Sequence, residues 1–195
     1  MLHKSKYRTA VINLANSDFD IDLYHQSLAL RRRVLAEDLG WELVELGALE
    51  TDQYDTLFSH HIVALDGDTV VATLRLMPTN VDLFGVTYMI LDAHRGHLPD
   101  MPRDILPHEI MDPNTWEASR LAICKSTPAT EWNTLLATLL NAAREFISTQ
   151  GGTCMLGMMH PIFQRVLSGI GIDVSIIGPV KDQKDGKICV LKYEF

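Results

Sequence analysis

The sequence predicts an α/β fold, a three-layer α-β-α sandwich around a central mixed, mainly antiparallel sheet, in a single domain spanning residues 1–195. Three observations predict it. Two β-branched runs flank Asp66-Gly67-Asp68, which is hairpin chemistry. A long helical pattern separates two apolar strand-like runs, and a strand followed by a crossover helix implies a mixed sheet with helices on its faces. The chain ends in two more strand-like runs joined by the polar stretch "KDQKDGK".

Taken in order, "YRTAVINLA" (Tyr7 to Ala15) reads as a first strand. Asp18 or Asp20 then caps a helix running to about Glu37, with Leu23, Leu28, Val34 and Leu35 as apolar positions. "GWELVELGALETDQYD" has no sustained period and reads as a long loop. His60 to Pro78 forms the hairpin. "YMILDAHRGHL" is helical or irregular, and the proline-rich "PDMPRDILPHEIMDP" is loop. "NTWEASRLAIC" (Asn114 to Cys124) reads as a central strand. Trp132, Leu135, Leu136, Leu139, Leu140, Ala143, Phe146 and Ile147 recur at helical spacing, and Gly151-Gly152 ends that helix. "TCMLGMM" is the next strand, "HPIFQRVLSGIG" a short helix, and "IDVSIIGPV" and "KICVLKYEF" the closing strands, with Asp185-Gly186 as the turn between them. This is the element order of an N-acetyltransferase-type domain.

Hydrophobic residues make up 47% of the chain and charged residues 22%, an ordinary globular composition. A formal net charge of −8 argues against nucleic acid as a partner, because non-specific binding needs a dominant basic surface. Cys124, Cys154 and Cys189 show no CxxC spacing and sit in apolar runs, as small hydrophobes in a reducing cytoplasm do. No stretch has the length and apolarity of a bilayer span, and the N-terminus lacks a long apolar core of the signal-peptide type. The expectation is a cytoplasmic monomer with no stable membrane association.

Several ionisable groups interrupt segments that otherwise favour burial. Arg31 lies in the first helix, Arg75 in a hairpin strand, and Glu117 and Arg120 in the central strand. Glu50, Asp52 and Asp55 crowd the loop "LETDQYD". Charges in central strands are costly unless paired, so these groups are expected to meet in one network. Such a site suits a ligand with a cation, a carboxylate and an aromatic ring. Trp41 can stack on the ring or the cation, Asp52 and Asp55 can offset positive charge, and Arg31 or Arg75 can hold a carboxylate.

In these residues the chain resembles the acyl-homoserine-lactone synthases, the bacterial quorum-sensing autoinducer synthases. The resemblance runs from about Leu30 to the C-terminus. It rests on Arg31 and Trp41 in "RRRVLAEDLGW", on Glu50, Asp52, Tyr54 and Asp55 in "ETDQYD", and on Arg75, Pro78 and Thr79 in "LRLMPT". "YMILD" and Trp116, Glu117, Ser119 and Arg120 in "WEASR" complete it. Leu35 stands where the family usually has a phenylalanine, which leaves Trp41 more of the stacking on the nucleotide.

The resemblance implies two substrates, S-adenosylmethionine and an acyl thioester on acyl carrier protein or coenzyme A, with no cofactor, because S-adenosylmethionine is consumed. It implies Arg31, Leu35, Trp41, Asp52, Asp55 and Arg75 as the S-adenosylmethionine residues, and Glu117, Ser119 and Arg120 as the catalytic ones. Acyl transfer needs a neutral amine, so Glu117 is the candidate base. Strand alternation sends Glu117 and Ser119 to one side and Arg120 to the other, so either a bulge turns one of them or Arg120 braces the loop carboxylates. Met155, Gly157 and Met159 are the candidate acyl pocket, and Gly157 stands where family members favouring 3-oxo chains often carry threonine. A carrier-protein donor would dock on basic residues such as Lys125, Arg144 and Arg165.

Three other readings fit less well. An acetyl-coenzyme A enzyme usually has a glycine-rich turn after the central strand, whereas this chain has "KSTPATEW", where Pro128 removes an amide donor. A fold that had lost its reaction would not be expected to keep Arg31, Arg75, Glu117 and Arg120. A metal site finds no ligand-spaced motif among His60-His61, His94, His97 and His108-Glu109, which read as surface histidines.

Overall fold

The computed structural model describes residues 6–184 and 186–195. Strand β1 (Arg8–Ile12) leads into helix α1 (Ile21–Arg31). Asp20, rather than Asp18, is the N-cap, and its carboxylate accepts from the N–H groups of Asp22 and Leu23 at 3.1 and 3.0 Å. Past Arg31 the helix widens into a π-helical segment, Arg32–Asp38. The expected loop that follows contains a hairpin of two-residue strands, β2 (Glu45–Leu46) and β3 (Leu49–Glu50). It turns at Gly47, whose φ of +64° glycine adopts without strain.

Strands β4 (His60–Asp66) and β5 (Thr69–Pro78) form the predicted hairpin, with a register shift at Ala64/Leu65. Helix α2 (Met89–Arg95) ends on a left-handed Gly96. Strand β6 (Thr115–Ile123), helix α3 (Ala129–Thr149), strand β7 (Cys154–Met159), helix α4 (Phe163–Gly169), and strands β8 (Ser175–Gln183) and β9 (Gly186–Glu194) complete the chain. The expected Asp185-Gly186 turn includes Asp185, which lies outside the described residues.

Seven strands hydrogen-bond in the order β1-β4-β5-β6-β7-β9-β8. The pairs β1·β4, β4·β5, β7·β9 and β8·β9 are antiparallel, and β6·β7 is parallel. The N–H of Thr79 donates to Thr115 O, and that of Cys124 to Val71 O, so β5 and β6 also run antiparallel. The parallel pair exists because α3 carries the chain back across the sheet between β6 and β7.

The chain divides into two compact units, one running up to Leu76 with Arg120–Phe146, the other Met77–Ser119 with Ile147–Phe195. In the first, Leu28, Leu30 and Leu35 pack with Val63, Leu65 and Ala122. His61 of β4 meets Tyr24 of α1, while its neighbour His60 meets Phe146 of α3, so α1 and α3 cover opposite faces. In the second, Tyr88, Ile90 and Leu91 pack with Cys154, Leu156 and Val190. Each such fully buried leucine or isoleucine contributes about 1.5–3 kcal/mol.

Candidate active site

Three guanidiniums and three carboxylates converge in the first unit. Arg31 ends α1, Glu50 ends β3, Asp52 and Asp55 lie in the turn that follows, Arg75 is on β5 and Arg120 on β6. Arg31 Nε donates to Glu50 Oε2 at 2.5 Å, and its two terminal nitrogens grip both oxygens of Asp55 at 2.8 and 2.9 Å. Arg75 Nη1 reaches Asp52 Oδ1 at 2.5 Å and Asp55 Oδ1 at 3.0 Å. Arg120 Nε donates to Glu50 Oε1 at 3.1 Å, and its Nη2 lies 2.6 Å from Asp52 Oδ2. The side chains of Arg31, Arg75 and Glu50 are 0% exposed. The cluster is neutral in sum, the condition under which buried charges are tolerated.

Local sequence aims these carboxylates. Asp52 Oδ1 accepts from the Tyr54 N–H, and Asp55 Oδ2 accepts from the Asp52 N–H and Thr51 Oγ1. The "TDQYD" turn therefore ties itself with the same groups that bind the arginines. Burial by itself would raise the Asp55 carboxyl, but the hydrogen bonds from Arg31 and the charge of Arg75 outweigh it and hold it well below the usual range. Asp52 is likewise lowered, as the charges of Arg75 and Arg120 overcome its burial.

Of the groups expected to meet in one network, Arg31, Glu50, Asp52, Asp55, Arg75 and Arg120 do so, while Glu117 accepts from the Met89 and Ile90 N–H groups in the second unit. Arg31 and Arg75 are turned to protein carboxylates rather than outward. Arg120 pairs with two of them from a backbone at φ +55°, a left-handed residue inside a strand that interrupts its alternation. The cation–π contact of the cluster is Arg75 over Tyr54, at 5.5 Å. Trp41 is 44% exposed, while Leu35 is buried in the first core.

His61 was expected at the surface and is 1% exposed. Its Nε2 lies 3.6 Å from Asp55 Oδ1, and burial, with help from Arg31 and Arg75, pushes its pKa down to about 3. Its burial was readable: it alternates with Val63 and Leu65 on one face of a predicted strand.

In the second unit, Glu117 and Ser119 are buried on β6. Glu117 Oε1 accepts from the Ile90 N–H at 2.7 Å, and Oε2 from the Met89 N–H at 3.4 Å, so the carboxylate caps the start of α2. The parallel register runs from Thr115↔Cys154 to Ala118↔Gly157 and ends there, while β7 stays paired with β9 to Met159↔Cys189. Met155, Gly157 and Met159 share one face of β7. Glu117 is opposite Leu156 in register and so points to the other face, with α2. A Cβ on Gly157 would lie 2.9 Å from the Met159 methyl, which fills the space above the glycine.

Lys125 and Arg165 are exposed, and Lys125 pairs with Asp38. At the β6–α3 turn an open depression of about 450 Å³ is lined by Ile123, Cys124, Lys125, Thr127, Ala129, Trp132 and Asn133. Among the described residues no helix is long and apolar enough to cross a membrane, and no cluster of His, Cys, Asp and Glu is arranged to hold a metal.

The family model described as autoinducer synthase matches residues 16–194. The chain belongs to the autoinducer synthase family. An acyl-homoserine-lactone synthase of Acinetobacter nosocomialis is 28% identical to this autoinducer synthase over 170 residues, covering 84% of this chain and 87% of the relative. Among solved structures, TofI in a ternary complex with an inhibitor and MTA superposes with a TM-score of 0.76 at 21% identity, covering 96% of this chain and 91% of that one. BjaI, a CoA-dependent acyl-homoserine lactone synthase crystallised with SAM and isopentyl-CoA, gives 0.73 at 24% identity, covering 96% and 83%. A putative N-acetyltransferase from Lactobacillus plantarum superposes at 0.63, so the predicted N-acetyltransferase-like fold holds.

Proposed function

We propose that this autoinducer synthase makes an N-acyl-homoserine lactone from S-adenosylmethionine and an acyl thioester. The amine nitrogen attacks the thioester carbonyl, forming the amide as the carbon–sulfur bond breaks and the carrier thiol leaves. The amine gives up its proton to a base. The methionine carboxylate then attacks its own γ-carbon, closing the lactone and expelling methylthioadenosine as a neutral thioether. S-adenosylmethionine is thus a substrate, and no cofactor is consumed.

The observation that carries this reading is the buried cluster of Arg31, Arg75 and Arg120 with Glu50, Asp52 and Asp55, in a chain of this family. Its charges satisfy one another, so it is a rigid frame needing no substrate to hold it together. Arg31, Arg75 and Arg120 keep Asp52 and Asp55 ionised and fixed, which gives a sulfonium amino acid a preorganised polar wall to bind against. Trp41, half exposed, offers a free ring face for the adenine. Glu117 is the base. Two helix amides hold its carboxylate in place for that role. Ser119 lies beside the point where the β6·β7 ladder ends. Backbone N–H groups of this stretch are the proposed donors to the oxyanion of acyl transfer. Met155, Gly157 and Met159 line the acyl chain. The donor is acyl carrier protein or coenzyme A, and the enzyme works as a cytoplasmic monomer without stable membrane association.

The test is incubation with S-adenosylmethionine and a series of straight-chain acyl thioesters on each carrier. Expected are methylthioadenosine release that requires the donor and a lactone of matching mass. Release without donor, or none with any donor, overturns the reading. Transfer of an acetyl group to another amine with no methylthioadenosine would instead make this an ordinary N-acetyltransferase.

A further inference from the structure

His61 is the one member of the charged cluster that the reaction above does not use. It stands directly across from Arg75 in the β4·β5 register. Its ring is wedged edge-on against Tyr24, centroids 5.0 Å apart at 85°, and Tyr24 is itself edge-on to Phe19. Its Nε2 comes within 3.6 Å of Asp55 Oδ1, yet neither ring nitrogen has a hydrogen-bond partner among the described residues. A buried polar group without partners is costly, and an apolar ring of similar size would fill this site without that cost. The polarity therefore needs a reason, and Asp55 supplies it. Its Oδ1 is an acceptor shared by Arg31 and Arg75, so it joins the α1 arginine to the β5 arginine.

We propose that His61 is a positioning residue for S-adenosylmethionine binding: as a neutral ring with its Nε2–H toward Asp55, it fixes the oxygen on which Arg31 and Arg75 converge. This rests on the reading of the cluster as the S-adenosylmethionine subsite. The neutral state follows from the surroundings. Arg31, Arg75 and Arg120 already balance Glu50, Asp52 and Asp55, so a protonated ring would put a fourth cation against three anions. Burial holds the ring neutral through the physiological range.

Steady-state kinetics with S-adenosylmethionine and acyl donor varied separately test this, alongside calorimetric binding of S-adenosylmethionine alone. His61→Phe keeps the ring volume and removes the N–H. It is expected to raise the KM and the Kd for S-adenosylmethionine by roughly three- to tenfold, the weight of one modest polar interaction with Asp55. The kcat at saturation and the KM for the acyl donor should stay near wild type. His61→Gln restores a donor and should recover most of the affinity. An unchanged S-adenosylmethionine KM in His61→Phe overturns the proposal. So does a glutamine variant as impaired as the phenylalanine one, or a parallel rise in the acyl-donor KM, because a purely structural role moves both substrates together. If His61→Phe does not fold, His61→Met takes its place in the same comparison. If the wild type yields no lactone with any donor, the functional reading fails on its own. Calorimetry then still reports whether S-adenosylmethionine binds and whether His61 matters to it.

Discussion

Asp55→Asn tests the central physical claim, that the charged cluster is a closed and balanced frame. The asparagine keeps the shape and removes one charge. Five donors converge on Asp55: Arg31 twice, Arg75, Thr51 Oγ1 and the Asp52 N–H. The amide oxygen keeps some of these, but the amide NH₂ turns two hydrogens toward groups that are themselves donors. Three buried guanidiniums then face two carboxylates. Breaking a buried pair by removing one partner costs about 3–5 kcal/mol. With an unfolding entropy of about 2.1 cal/mol/K per residue, a chain of 195 residues loses roughly 7–12 °C in Tm. Scanning calorimetry of the unliganded protein near pH 7 measures this without any substrate. The control is Glu109→Gln, which removes the surface pair with Arg95. That glutamate is half exposed, and its loss should hardly move the Tm. An Asp55→Asn protein melting alongside that control would refute the balanced-frame argument.

Acid should act in two stages. His61 has a folded pKa of about 3 against an ordinary 6.5, so its contribution is complete above pH 6.5 and is lost as pH falls toward 3. Asp52 and Asp55 are depressed below 3.8, so theirs is complete above that value and is lost at still lower pH. Denaturant titrations at stepped pH should show stability declining from about pH 6.5 downward, and His61→Gln should shrink the upper part of the decline, to which the lowered His60 also contributes, while sparing the lower. Glu117→Gln should cut turnover by about a hundredfold or more if it is the base, and should lower the Tm by a few degrees because the Met89 N–H then faces an amide nitrogen; near-normal turnover would remove Glu117 from that role. Met159→Ala clears the methyl from above Gly157, so mass spectrometry of the lactones should show a shift toward longer chains, and an unchanged distribution would place the chain elsewhere.

How far the sequence carried depended on where each feature is encoded. The β4–β5 hairpin, α3 and β6 were legible because each has a period and a punctuating turn within its own span. The β2–β3 hairpin was not, because strands of two residues cannot display a period. The π-helical segment after Arg31 shares the helical composition that precedes it, so nothing in "RRRVLAED" separates the two. The membership of the charged cluster could be anticipated from cost alone, since charges in buried strands must find partners. The pairing could not. It depends on four segments, with bonded partners as far apart as Glu50 and Arg120, 70 positions, arriving at Glu50 and Asp55 together.

The same distinction governs Glu117 and Gly157. Alternation along β6 and along β7 is a local property and was readable. Which face of one strand matches which face of the other depends on register, fixed only when Glu117 lies opposite Leu156. That register sends Glu117 to the α2 side and the Met155–Gly157–Met159 row to the other, so a base on Glu117 and an acyl chain over Gly157 cannot both act from one side of an intact ladder. The ladder register ends at Ala118↔Gly157, one residue beyond Glu117, and Ser119 and the left-handed Arg120 follow it on the strand. In the proposed reaction the base and the acyl chain serve opposite faces of the strand pair. Arg120→Gly, which relieves the left-handed backbone but removes two ion pairs, and Arg120→Lys, which keeps a charge but not the fork, separate the two contributions. If β6 geometry matters more than the pairing, the glycine variant will retain more turnover than the lysine variant. The reverse order would assign Arg120 to bracing Glu50 and Asp52 alone.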